Sequence, residues 1–300
     1  MALFLGIDGG GSKTACLIGD ERSVLGAGTD GGSNVVRVGE ARAREALSGT
    51  IREACAAAQV SPAQISKTCI GVAGAARPQI EETIRRVLTE IVSGEIEVAG
   101  DMVIALEAAF GGGPGVIAIA GTGSIAYGAN VEAQTARAGG WGFAISDEGS
   151  GHWIGRAAIS AVLRACDQGV VLENSRLFSG ILKYWGVRTV EELVLAANAS
   201  PGRDFAGLFP AVVLANDEGD AIAREALRRA GAELAGLAGV VIERLFRGDA
   251  VPVAMAGGVF ANCALVREAF HDALLAECPT AVVKAEMVEP VFGALARARR

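Results

Sequence analysis

Only two histidines, three tryptophans and two tyrosines occur in 300 residues. So little imidazole leaves a Ser-His-Asp hydrolase few parts to work with. His152 reads equally as bystander or participant. The six cysteines, at positions 16, 55, 69, 166, 263 and 278, form no Cys-x-x-Cys pair. Their spacing suits neither a zinc site nor a disulfide framework. Most sit in apolar stretches, where a thiol behaves as a small hydrophobe. No run of 18 apolar residues is free of a polar break, so no membrane span is expected. The opening Met-Ala-Leu-Phe-Leu-Gly-Ile-Asp lacks a basic region and is too short an apolar run for a signal peptide. A cytoplasmic protein is therefore expected. Lysines and arginines form no basic stripe, and 27 of them against 34 acids give a formal charge of -7. That balance argues against a nucleic-acid partner.

Apolar residues make up 51% of the chain and charged residues 20%. This is enough for two cores, which is also what the length suggests. The spacing predicts strands at 3–8, 14–19 and 23–28, a helix at 40–58, a strand at 68–72, a helix at 78–91, a strand at 96–99 and a helix at 102–110. The order then recurs. Strands are predicted at 116–120, 124–129 and 134–138. A helical region from about 150 to 247 follows, broken at Gly186, Pro201 and Pro210. A strand at 251–255, a helix at 262–275, a strand at 281–284 and a helix at 288–299 close the chain. Two βββαβαβα units are implied, an α/β fold of two lobes with an intervening cleft where ligands usually sit. The lobes are placed at residues 1–113 and 114–287. The helix at 288–300 is expected to pack back on the first lobe.

Asp8-Gly9-Gly10-Gly11-Ser12-Lys13-Thr14 is a strand ending in a carboxylate and followed by glycines and hydroxyls. Backbone N–H groups in such a turn can face an anion, and glycine permits close approach by phosphate oxygens. A plain glycine hairpin would look the same. Gly121-Thr122-Gly123-Ser124 recurs at the matching hairpin of the second half, and the recurrence favours phosphate. Asp101, where a strand meets a helix, suits either a general base or a helix cap, and position alone favours the cap. Gly139-Gly140-Trp141-Gly142 and Ser146-Asp147-Glu148-Gly149-Ser150-Gly151 offer an aromatic face and carboxylates to a polar ring. A core tryptophan and an N-capping Asp147 are the plainer alternatives. Ala256-Gly257-Gly258-Val259 could lay a base or ribose against backbone, or be a tight turn needing no ligand.

The order of these motifs, with Gly32-Ser33-Asn34 and Gly100-Asp101 between them, resembles the N-acetylglucosamine kinase and glucosamine kinase family. That family belongs to the sugar kinase, Hsp70 and actin superfamily and is grouped with the activator ATPases of CoA-ester dehydratases and reductases. The likeness runs over essentially the whole chain. It implies two actin-like domains, the cofactors ATP and Mg2+, an amino-sugar substrate phosphorylated at the 6-hydroxyl, and a homodimer. Gly10, Gly11, Ser12, Lys13 and Thr14 would form the first phosphate loop, with Asp8 near magnesium through water. Ser12 stands where many members carry Thr and keeps the hydroxyl. Thr122 and Gly123 match the second phosphate loop, with Ser124 also bordering the sugar. The resemblance makes Asp101 the catalytic base. Asn34, Trp141, Gly142 and Asp147 would contact the sugar, and Gly257 and Gly258 the adenosine.

Two other readings compete. An activator ATPase would need cysteine thiolates at an exposed, shared position for an iron–sulfur cluster. A non-catalytic sensor of sugar or nucleotide could dispense with the base.

Overall fold

The computed structural model describes residues 2–170, 172, 175–200 and 202–300. Pro201, one of the expected helix breaks, lies outside the described residues. Two compact units emerge: residues 1–117 with 127–134 and 288–300, and residues 118–126 with 135–287.

In the first unit, β1 (Leu3–Gly9), β2 (Lys13–Gly19) and β3 (Val24–Gly31) form an antiparallel meander. β1 also pairs in parallel with β4 (Ile65–Val72), and β4 with β5 (Glu95–Gly100). The sheet order is β3-β2-β1-β4-β5. After the short α1 (Val35–Val38), α2 (Glu40–Ala58) turns Leu47, Ile51, Ala54 and Cys55 towards the sheet. This spacing of four, seven and eight residues is the helical period that was legible in the sequence. α3 (Pro78–Thr89) adds Ile84, Val87 and Leu88 to the same core. α4 (Asp101–Phe110) starts directly at the end of β5.

The other strands are β6 (Gly115–Ala120), β7 (Ser124–Ala129), β8 (Thr135–Gly139), β9 (Val251–Ala256) and β10 (Ala281–Val288). Their order is β10-β9-β6-β7-β8. Read from the opposite edge, this is the order of the first sheet, so the repeat predicted from element order is a repeat of topology. The doubled βββαβαβα arrangement is the actin-like α/β fold.

The region 150–247 resolves into α5 (Gly151–Asp167), α6 (Arg176–Trp185), α7 (Val190–Ala197), α8 (Phe209–Asp217) and α9 (Ala221–Phe246). Gly186 ends α6 in the left-handed conformation, as glycine does at a helix C-terminus. Pro210 marks a start instead of a break. It lies in the first turn of α8, where its missing N–H costs no helical bond. A further break at Gly219-Asp220 was not anticipated. There Asp220 accepts hydrogen bonds from Ile222 N–H and Ala223 N–H, capping α9. It also accepts from the Ser175 hydroxyl at 2.9 Å, fastening the start of α6. α10 (Gly258–Asn262) and α11 (Ala264–Glu277) follow β9.

α12 (Pro290–Ala298) belongs to the first unit. It lies close on β1 and α4 through two glycines. A methyl group on Gly6 would sit 2.2 Å from Leu295 N, and one on Gly293 would sit 1.9 Å from Ile104 O. Arginines secure its end. Arg297 pairs with Glu97, Arg300 with the buried Glu107, and Arg299 donates to the Asp20 and Ser23 carbonyls at 2.8 Å each.

Candidate active site

Ligands in open α/β sheets collect beyond the carboxyl ends of parallel strands. In the first unit those ends belong to β1, β4 and β5, and carry Asp8, Val72 and Gly100 followed by Asp101. Burial pushes the Asp8 carboxyl up to about 7, with the Asp101 charge adding to the rise and Lys13 opposing it. Burial raises Asp101 too, while the Met102 N–H, 2.9 Å from Asp101 Oδ1, pulls the other way. Asp101 is the first residue of α4, and Gly100 holds the cap position. Its carboxylate still accepts from a first-turn N–H, so it serves the helix end without being its cap.

The turn after β1 closes through Gly10 N–H to Lys13 O at 3.1 Å. Gly11 and Ser12 form its tip. The segment after β3 braces this turn from behind: Ser33 and Asn34 N–H both donate to Gly10 O, at 3.0 and 3.2 Å. The Thr14 hydroxyl donates to Gly31 O at 2.7 Å and lies 2.8 Å from Ser33 Oγ, with both side chains fully buried. Thr14 thus faces the interior and ties the turn to β3. Asn34 Oδ1 accepts from Val36 N–H at 3.0 Å, capping α1.

The second unit builds its own cluster. The turn between β6 and β7 closes through Gly121 N–H to Gly123 O at 2.9 Å, with Thr122 at its tip. Gly151 N–H donates to Gly121 O at 2.8 Å, fixing the start of α5 beside the turn. Asp147 is buried and adopts a φ of 65°, in the left-handed region. Its carboxylate accepts from the backbone N–H groups of Gly142 and Ser124. Burial nevertheless raises its pKa. Its Oδ2 lies where a methyl group on Gly123 would come within 2.8 Å, so the motif's second glycine makes room for the acid. The Ser124 hydroxyl donates to Glu148 O at 2.6 Å. Ser150 Oγ accepts from Trp153 N–H, making Ser150, and not Asp147, the cap of α5.

Trp141 is 65% exposed, and the Arg137 guanidinium stands 4.0 Å over its ring. His152 sits between the rings of Phe143 and Phe205, at 4.9 and 5.2 Å. Gly257, at φ 97°, packs directly on Ala120: a methyl group there would lie 2.4 Å from Ala120 O. Gly258 opens α10, with only Asn262 Nδ2 within 4 Å of the space beside it.

Sequence reasoning passed over Ser33 as a brace of the first turn and Ser150 as the cap of α5. Both sat inside quoted motifs, but their burial and their hydrogen bonds depend on the folded chain. Arg137 had no local signal.

The N-acetylmuramic acid/N-acetylglucosamine kinase of Clostridium acetobutylicum is 33% identical over 100% of this chain and 99% of its own length. The N-acetyl-D-glucosamine kinase of Dictyostelium discoideum is 28% identical over 97% of this chain and 96% of its own. A solved structure from Chromobacterium violaceum, described as a candidate N-acetylglucosamine kinase, superposes with a TM-score of 0.76 at 25% identity, covering 100% and 99% of the two chains. Residues 5–298 match the model of one family throughout, and the chain belongs to the BadF/BadG/BcrA/BcrD ATPase family.

Proposed function

We propose that the chain is an ATP-dependent kinase that transfers the γ-phosphoryl group to the 6-hydroxyl of an amino sugar, N-acetylglucosamine or glucosamine, with Asp101 as general base. The observation that carries the reading is the opposition of Asp8 and Asp101 beside the Gly10–Lys13 turn. A carboxylate whose proton affinity is raised by burial is suited to accept the proton of an attacking hydroxyl. Catalysis of phosphoryl transfer is otherwise mostly positioning and charge neutralisation. The backbone of Gly10, Gly11 and Ser12, with Lys13, supplies N–H groups and a positive charge for phosphate. Thr14 holds that turn in shape from inside.

Magnesium fits this donor set. The Asp101 charge raises the proton affinity of Asp8, a repulsion that a divalent cation relieves, and Mg2+ commonly keeps several waters while using one or two carboxylates and the substrate phosphates. Asp8 would hold the hydrated ion. When bound, Mg2+ neutralises charge on the phosphates.

In the second unit, Thr122 and Gly123 are assigned to phosphate and Gly257 and Gly258 to the adenosine end of the nucleotide. Sugar contacts are assigned to Asn34 in the first unit and to Ser124, Trp141, Gly142 and Asp147 in the second. Both curated relatives act, by name, on N-acetylated amino sugars, which supports this acceptor class. Cysteine placement favours a kinase over a cluster-bearing activator: Cys16, Cys55, Cys69 and Cys263 are buried, and burial lifts the Cys16 and Cys69 thiols to about 12.

The test is an ADP-release assay with Mg2+ and ATP over N-acetylglucosamine, glucosamine, N-acetylmuramic acid, glucose, N-acetylmannosamine and no sugar. Stimulation by one amino sugar well above the control is the expected result. Equal ADP release with and without sugar would replace the kinase reading by the activator.

A further inference from the structure

Arg137 lies on β8, the edge strand of its sheet, and is half-buried. Among the described residues its guanidinium pairs with no carboxylate. It stands instead 4.0 Å over the Trp141 ring. Nothing in the chemistry above gives this arginine a task.

The backbone brings the two side chains together. Four residues of unbroken strand would set their Cα atoms about 13 Å apart. Gly139 and Gly140 both take left-handed conformations, at φ 71° and 68°, and break the strand between them. Each is closely seated. A methyl group on Gly139 would come 2.9 Å from Leu237 Cδ1 on α9, and one on Gly140 2.8 Å from Ile125 Cδ1 on β7. Arg244 Nη1, also from α9, donates to Arg137 O at 3.3 Å and holds the end of the strand. The glycine pair of the Gly139-Gly140-Trp141-Gly142 motif thus turns the indole back onto the arginine.

Little else restrains that ring. Trp141 is largely exposed, and Gly142 after it, at φ 104°, has nothing within 4 Å of the space beside it. A side chain in such a setting samples several rotamers, and ordering it when a ligand arrives costs affinity. A guanidinium is flat and permanently charged, and it stacks on one face of an indole. The opposite face stays open for the apolar face of a sugar.

We propose that Arg137 is the positioning residue for Trp141: it stacks on one side of the indole and holds the ring ready to receive the sugar on the other. The inference rests on the sugar contact assigned to Trp141 in the function proposed above. In this role Arg137 acts through the ring and not on the sugar. Lysine is a poor substitute, because its ammonium is a point charge with no plane to lay on the indole.

A double-mutant cycle on the full chain tests this. Its readouts are kcat and the sugar KM for N-acetylglucosamine, with glucosamine alongside, at saturating Mg2+ and ATP. Arg137→Ala should raise the sugar KM by roughly two- to fivefold, the ratio that a stacked cation commonly supplies, with kcat near wild type. Arg137→Lys should recover only part of the loss. Trp141→Ala should raise the sugar KM further. Adding Arg137→Ala to it should change nothing more, since the arginine then has no ring to hold. An Arg137→Ala effect of the same factor with and without Trp141 overturns the proposal, because the arginine then acts independently. So does an unchanged KM in Arg137→Ala beside a raised one in Trp141→Ala, a result that leaves the sugar contact of Trp141 intact. An unchanged KM in Trp141→Ala removes that contact and the inference together. A wild type stimulated by neither sugar removes this part of the kinase reading as well.

Discussion

Asp8 and Asp101 oppose their carboxylates from strand ends that do not touch, since β4 separates β1 from β5. Nothing in ordinary packing asks for two acids there. Burial raises the proton affinity of both, and the Asp101 charge makes Asp8 harder still to ionise.

Replacing Asp101 by asparagine keeps the shape of the side chain and an acceptor for Met102 N–H, but removes the base. The expected result is a kcat lower by roughly 10²–10⁴-fold, with sugar affinity largely retained. Steady-state kinetics and sugar titration of the same preparation check both halves. A kcat close to wild type would take Asp101 out of the mechanism.

Asp8 predicts an unusual pH dependence of stability. Its pKa in the folded chain, about 7, lies above the unfolded value of 3.8. Between these values the folded state holds a proton that the unfolded state has released. Ionising Asp8 therefore costs stability progressively as pH rises from about 4 to 7. Asp8→Asn should stabilise the nucleotide-free protein at pH 8 by an amount on the order of 2–4 kcal/mol, seen as a raised Tm, and the gain should vanish near pH 4. Thermal melts at both pH values read this, and a gain equal at both would contradict it.

Two adjacent glycines should behave differently. Gly257→Ala forces a methyl group against the Ala120 carbonyl at a positive φ and should destabilise by a few kcal/mol. Gly258→Ala meets nothing closer than 3.9 Å and occupies a helical position. It should leave the Tm unchanged or slightly raised, so that any loss of ATP affinity in that variant reports on the ligand and not on the fold.

Thr14→Val keeps the volume of the side chain and removes the donor to Gly31 O. A loss of about 1–3 kcal/mol in denaturant unfolding is expected for the stranded buried partners. Thr14→Ser, which retains the hydroxyl, should recover most of it.

Much of the fold was legible in the sequence because it is written in local signals. α2 runs from Glu40 to Ala58, where the apolar period and the following Ser61-Pro62 put it. The repeat was visible as an order of elements, and the sheets repeat it strand for strand. The glycine turns were also legible, since few other residues permit such backbones. The directions of side chains were not. Thr14 sits in a motif read as a phosphate loop, yet its hydroxyl points inward, because β2 alternates its faces and position 14 falls on the buried one. The break at Asp220 escaped because its second partner, Ser175, is 45 residues away.

The seating of α12 on β1 also bears on how the protein comes to be made. Gly6 leaves the ribosome nearly 290 residues ahead of Leu295, the residue that covers it. Chains emerge N-terminus first, so most domains can complete themselves during synthesis. This first unit cannot. Val291, Ala294, Leu295 and Ala298 fill the space against Leu17, Cys69 and Ile104, and until they arrive that surface stays bare. The unit begun first is thus finished last, after the whole of the second has been translated.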